Sequence, residues 1–219
     1  MDISAFFPVW NNLEESDRNA LNAAAIDRTF FKGEILHRSS EECTGLILVR
    51  SGQLRAYTVS PEGKEITLYR LLDGDICLFS ASCIINSISF DITLSAEKDT
   101  AVTVVAADVY KRIMKKSAPL SNFTNEIMAS RFSDVMWLVE QIMWKSFDKR
   151  LAEFLMEESN IEDSLTLKIT HETIGNHLGS PREVVTRMLK YFAGEGLVSL
   201  SRGTVTLSDP ARIAALARD

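Results

Sequence analysis

Apolar positions in the first half of the chain recur with the period of strands, and in the second half with the period of helices. Leu46–Arg50, Gln53–Val59 and Glu65–Leu71 alternate or run β-branched. Turn-forming sequences separate them: Ser51-Gly52, Ser60-Pro61-Glu62-Gly63 and Asp73-Gly74-Asp75. Many short strands behind one amphipathic stretch, from about Asn11 to Ala25, predict a β-roll or jelly roll. Further along, Ile174 and Leu178 are followed by Val185, Met188, Leu189 and Phe192 at i, i+3, i+4, i+7 spacing. That spacing predicts two short helices sharing one apolar side. Thr170 is placed to cap the first, with Glu172 in its first turn, and Gly179 to stop it. Ser180 and Pro181 then read as N-cap and first residue of the second, with Glu183 closing an S-x-x-E capping box. Gly175 leaves room where the second helix comes close. After Gly194 to Gly196, the segment LVSLSRGTVTL alternates around Ser201-Arg202-Gly203, which predicts a strand, a tight turn and a strand.

Between these halves, from about Pro119 to Phe147, Met128, Phe132, Val135, Val139 and Ile142 follow spacings of four, three, four and three. This is a two-heptad seam for a partner helix. Met136, Trp137, Met143 and Trp144 make other sides apolar as well, and a helix greasy on several sides cannot face water alone. One face against its own β-roll and one against a second copy accounts for the pattern; a core helix of a single chain is the alternative. The predicted fold is therefore α+β. A double-stranded β-helix (jelly-roll) sensor domain over 1–118 is followed by a dimerisation helix over 119–147 and a winged helix-turn-helix domain over 148–219. Ser146-Phe147-Asp148 reads as a hinge into a helix over Lys149–Ser159.

The helix-turn-helix sets the function class. Arg182, Glu183, Thr186 and Arg187 fall opposite the apolar side of the second helix, where a major groove would meet them. An arginine fork matches guanine O6 and N7, glutamate accepts from cytosine N4, and threonine tolerates several base edges. Ser180 at the helix start and Arg202 at the wing tip, where it can touch a phosphate, complete the candidate DNA-binding set. A purely structural reading stays open, in which Glu183 only closes the capping box and Arg187 only pairs with Glu183.

Charge constrains how such a protein binds. The 219 residues carry a formal net charge of −6, unfavourable for binding DNA. Residues 170 to 207 are the exception, with Arg182, Arg187, Lys190 and Arg202 against Glu172, Glu183 and Glu195. Binding is expected to need two such patches on a dimer and to weaken with salt. The lack of a signal-like segment or an apolar run of membrane length, together with only three cysteines, predicts a soluble cytoplasmic chain.

The segment SPREVVTRMLKYFAGEGLV resembles the S-R-E-T-V-x-R-x-L-x-x-L-x-x-x-G-L-I pattern of the Crp/Fnr transcription regulators, with Pro181 where a polar residue is usual. Arg182, Glu183 and Arg187 match the branch of the cyclic AMP receptor protein. The fumarate-nitrate branch usually carries an apolar residue at the Arg182 position. The stretch from Phe30 to Val102 resembles that family's sensor β-roll, so the likeness spans nearly the whole chain. It implies a homodimer on a pseudo-palindromic double-stranded operator, with RNA polymerase as a further partner and activation or repression set by operator position.

Cyclic-nucleotide binders of this fold hold the ribose with a Gly-Glu pair and the cyclic phosphate with an Arg-Ser pair. Here Gly74-Asp75 keeps a shortened acid, and Ser80 to Asp91 has no arginine, which argues against cyclic AMP. A small organic effector is expected instead, between Asp75–Phe90 and the long helix. Its candidate contacts are Asp75, Cys77, Ser80, Ser82, Cys83, Ser89 and Phe90, with Met128, Phe132 and Trp137 as lining that core or interface packing would equally explain. Effector binding would repack the long helix and bring two recognition helices to the spacing of successive major-groove faces.

Other sensing chemistries are less well supplied. An all-cysteine iron-sulfur cluster needs four thiolates, and the chain has Cys43, Cys77 and Cys83. A haem would draw on His37 and Cys77, and a redox switch on Cys77 with Cys83, against the alternative of small buried thiols. No metal site or certain cofactor is expected. A cupin-like metal enzyme needs several histidines around an open site, and His37 is the only one in the first half, so no catalysis is expected. A protein-interaction adaptor on the winged domain is the remaining rival, separable by salt-dependent binding to random duplex DNA.

Overall fold

The computed structural model describes residues 2–38, 44–78 and 91–218. Their contacts divide into two compact units, one of Met1–Val59 and Leu68–Val135, the other of Ser60–Thr67 and Met136–Asp219.

The first unit is built on two four-stranded antiparallel sheets. One has the order β1 (Ala25–Phe30), β8 (Thr100–Val105), β3 (Leu46–Ser51), β6 (Ile76–Cys77). The other has the order β2 (Ile35–Arg38), β7 (Thr93–Ala96), β4 (Leu54–Val59), β5 (Glu65–Leu71), the last with its first three residues, Glu65 to Thr67, in the second unit. Leu54, Ala56, Tyr69, Leu71 and Leu94 of the second sheet share a core with Ile47, Val49 and Val102 of the first. The sheets thus face one another. In β3 the Leu46-Ile47-Leu48-Val49 run is buried throughout, more than the one inward face that a single core would cover. The reason is a third layer. Leu46, Leu48 and Val105 pack with Ile3, Phe7, Leu21, Tyr110 and Ile113, residues of the N-terminal segment, α1 (Glu15–Ala23) and α2 (Ala107–Met114).

Helix α3 (Ala118–Trp144) begins in the same core, with Leu120 fully buried and Phe123, Ile127 and Met128 packed beside it. The buried Tyr110 hydroxyl lies 2.8 Å from Thr124 Oγ1, tying α2 to α3, and burial pushes the Tyr110 pKa up to about 12. Farther along, α3 exposes its apolar residues. Phe132 is 67 % and Trp144 79 % accessible, and Met136, Trp137, Val139, Ile142 and Met143 are also exposed.

The second unit contains α4 (Phe147–Glu162), α5 (His171–Leu178), α6 (Arg182–Gly194) and α7 (Pro210–Arg218), with a small sheet ordered β10 (Val198–Ser201), β11 (Thr204–Leu207), β9 (Thr166–Leu167). Its core joins Leu151 and Leu155 of α4, Ile174 of α5, Val185, Leu189 and Phe192 of α6, and Val205 and Ile213 beyond. Lys145 and Ser146 separate α3 from α4, so of the expected hinge only Ser146, at the N-cap of α4 with extended backbone, lies outside a helix, and the helix after it runs two residues earlier and three later than its pattern predicts. Among the described residues no helix is long and apolar enough to cross a membrane.

Candidate nucleic-acid interface

The turn between α5 and α6 fixes what α6 presents. Thr170 caps α5, its hydroxyl accepting from the Thr173 N–H at 3.0 Å, and Glu172 sits in the first turn. Gly179 ends α5 in the left-handed region at φ 63°, and the Ser180 N–H donates to the Gly175 carbonyl at 2.9 Å. A side chain at Gly179 would be strained by that backbone, and its Cβ would lie 2.9 Å from Ile66 Cδ1, so the Ile66 side chain would also have to shift. Gly175 is needed for a different contact from the one its position suggests. A Cβ there would come 2.5 Å from the Ser180 carbonyl oxygen, so the glycine makes room for the turn backbone, while the nearest atom of α6, the Arg182 nitrogen, is 3.7 Å off. On the other side of α5, Arg150 donates to the Leu178 carbonyl at 3.2 Å, and His177 is buried with Nδ1 2.9 Å from Thr67 Oγ1 and its ring 5.1 Å from that of Phe154.

The start of α6 corrects the expected capping box. Pro181, at φ −58° and ψ 143°, is the N-cap residue rather than the first helical one, and no side chain caps the helix. The Pro181 carbonyl accepts from the Val184 and Val185 N–H groups, so the helix opens at Arg182. Pro181 itself takes an extended ψ, which displaces the start by one residue and breaks the S-x-x-E register. Glu183 is therefore not engaged in capping.

Along the exposed side of α6, Arg182, Glu183, Thr186, Arg187 and Lys190 line one groove. Four of them are the residues expected to read bases; Lys190, one turn beyond Thr186, adds a third cation that i, i+4 spacing could have supplied. Ser180 lines an adjoining groove with Glu172, Gly175, Asn176, Arg182 and Glu183. Arg202 is exposed in the turn between β10 and β11. His171, absent from the expected set, places Nδ1 2.9 Å from Thr186 Oγ1. Its pKa lies below the ordinary 6.5 because burial, then the Arg182 and Lys190 charges, disfavour the imidazolium.

In the first unit, Asp75 Oδ2 accepts from the Leu72 N–H at 2.8 Å, and its other oxygen is 3.5 Å from Arg131 Nη2 of α3. Arg131 also meets Asp134 at 3.0 Å and lies 4.9 Å from the centre of the Tyr69 ring. Burial, with Cys77 nearby, holds the Tyr69 hydroxyl well above its usual pKa. Cys77 is buried in the roll core, and Met128 packs against both cores of the unit. Phe132, Val139 and Ile142 are exposed and Val135 is half-buried, so Met128 is set apart from the rest of the expected seam. Neither Tyr69 nor Arg131 stood out in the sequence, because they meet only in the fold. Ser80, Ser82, Cys83, Ser89 and Phe90 lie outside the described residues. His37 is buried with Nδ1 3.0 Å from Thr44 Oγ1, and among the described residues no three of His, Cys, Asp and Glu converge as a metal site.

Residues 149–216 match the profile of the Crp-like helix-turn-helix domain, and residues 27–117 that of the cyclic nucleotide-binding domain. The fumarate and nitrate reduction regulatory protein of Yersinia pestis is 25% identical over 193 residues, 85% of this chain and 76% of that protein. A crystal structure from Eubacterium rectale, assigned to the crp/fnr family of transcriptional regulators, is 58% identical with a TM-score of 0.96, covering 98% of this chain and 99% of the other. CooA from Carboxydothermus hydrogenoformans, in a mutant form, shares the fold at 22% identity with a TM-score of 0.65, over 96% of this chain and 95% of that one.

Proposed function

Since this chain belongs to the Crp/Fnr family of DNA-binding transcription regulators with an effector-binding domain, we propose that it reads a pseudo-palindromic operator as a homodimer through α6. Arg182, Glu183, Thr186 and Arg187 contact base edges, Arg182 and Arg187 favouring guanine and Glu183 favouring cytosine. Lys190, Ser180 and Arg202 meet the backbone and set the register. The observation that carries this reading is the single groove face of α6, on which three cations flank a glutamate free of capping duty. The pairing of Arg182 with Glu183 favours a half-site like that of the cyclic AMP receptor protein. In gel-shift assays, Arg182→Ala and Glu183→Ala each lower affinity for the preferred site by about 1 to 3 kcal/mol while leaving binding to random DNA nearly unchanged. Unaltered sequence preference in both variants would overturn the assignment.

The sensor takes a small molecule. Asp75, Tyr69, Cys77 and Arg131 supply a polar group where the roll meets α3, and the expected contacts in the stretch from 80 to 90 include no arginine. Arg131 comes from the long helix, whereas a cyclic nucleotide's phosphate would be held by an arginine within that stretch, so an organic effector other than cyclic AMP fits better. Its occupancy shifts the population of α3 packings, and with it the pairing of two chains along Phe132, Val135, Val139 and Ile142.

A further inference from the structure

We propose that His171 sets the hydrogen-bonding polarity of Thr186 on the reading face, so that the base preferred opposite Thr186 depends on the protonation of His171. The inference rests on the reading face assigned to α6. Thr186 is the one hydroxyl among the five residues of that groove, and a hydroxyl can be either donor or acceptor toward a base. Helical threonine commonly bonds a carbonyl one turn back. Here its hydroxyl is instead held from the side, 2.9 Å from His171 Nδ1 at the first position of α5, while Thr186 still lines the groove.

The two ring states leave different chemistry on the DNA side. In the neutral ring with its proton on Nε2, Nδ1 presents its lone pair, the threonine O–H donates to it, and only oxygen lone pairs and a methyl group remain for DNA. That surface suits adenine N6, cytosine N4 or the thymine methyl. In the imidazolium Nδ1–H donates to Thr186 Oγ1, which frees the hydroxyl proton for guanine O6 or N7, or thymine O4. The step moves one proton onto the ring from solvent and makes or breaks no covalent bond between heavy atoms.

The charged groups around the ring set the direction in which this change is shifted. Arg182 and Lys190 of α6 both oppose protonation, and burial acts in the same direction, while Glu172 follows it on α5. The free protein therefore switches below the ordinary histidine value of 6.5. A DNA phosphate brought near the ring opposes those cations and moves the switch upward. His171 is thus a positioning residue for specificity.

Binding-site selection on the full chain at about pH 8 and about pH 5.5 tests the idea, with His171→Gln, Thr186→Val and Arg182→Ala in parallel. The expected result is one position in each half-site whose preferred base changes by about fivefold or more between the two pH values. His171→Gln, which keeps a side-chain partner that does not titrate, gives one pH-independent preference there, and Thr186→Val loses the hydroxyl-dependent preference at both. A wild-type profile that is the same at both pH values while Arg182→Ala still relaxes its own position overturns this inference alone. The same follows if His171→Gln keeps the pH shift. Arg182→Ala with no effect on selection removes the reading face, and the inference with it.

Discussion

At the scale of single residues, the start and stop of each recognition-domain helix turn on a few side chains, and the sequence revealed them unevenly. Thr170 and Gly179 act as their types and positions suggest, because a cap and a left-handed stop are local requirements. Ser180-Pro181-Arg182-Glu183 misled for an equally local reason. The motif is present, yet Pro181 takes an extended ψ and becomes the N-cap itself, with no side chain to cap the helix. This difference is measurable. Thr170→Ala should cost about 1 kcal/mol of stability in chemical denaturation, whereas Glu183→Ala should stay within about 0.5 kcal/mol while impairing DNA reading. A loss of stability from Glu183→Ala comparable to that from Thr170→Ala would restore the capping box. His171 was invisible beforehand, since its partner Thr186 lies on another helix and only the fold brings their side chains to 2.9 Å.

At the scale of elements, strand and helix types follow from apolar period, but the period does not say which surface covers an apolar position. β3 reads as a plain apolar run because it is buried on two sides, by the opposite sheet and by the α1–α2 layer. α3 is the harder case. Met128 continues the heptad spacing of Phe132, Val135, Val139 and Ile142, yet it packs in the roll, while three of the other four are exposed. Core and partner demand the same residue types at the same spacing, so sequence alone could not divide them. The division yields a contrast. Phe132→Asp or Val139→Asp leaves an unpaired charge in a dimer seam and weakens dimerisation by about 3 kcal/mol or more, roughly 150-fold, with the helical circular dichroism retained. Met128→Asp instead lowers the unfolding midpoint of the sensor unit. Sedimentation velocity separates the outcomes, and Phe132→Asp remaining dimeric at micromolar concentration would place the seam elsewhere. The polar group at Arg131, Asp75 and Tyr69 was hidden for a related reason, being assembled from one helix and two segments more than fifty residues before Arg131.

At the scale of the whole molecule, charge and symmetry act together. A chain of net charge −6 is unfavourable to DNA as a whole and the reading face is a small cationic patch, so one copy of that face is a poor binder. Two copies related by a twofold axis add their phosphate contacts, and each contact steepens the dependence of affinity on salt. The sensor can then govern binding without touching DNA, provided its effector favours one dimer arrangement over another. Dimerisation, reading and sensing are thus different demands on one chain. The most direct measurement is an unbiased selection of random duplex DNA by the full chain, followed by footprinting of the enriched sequence. The predicted result is an inverted repeat whose half-sites are about one helical turn, 10 to 10.5 base pairs, apart or a multiple of it, and whose bases lose protection when Arg182 is replaced by Ala. Enrichment of no sequence, or of one unrepeated half-site indifferent to Arg182, would contradict it.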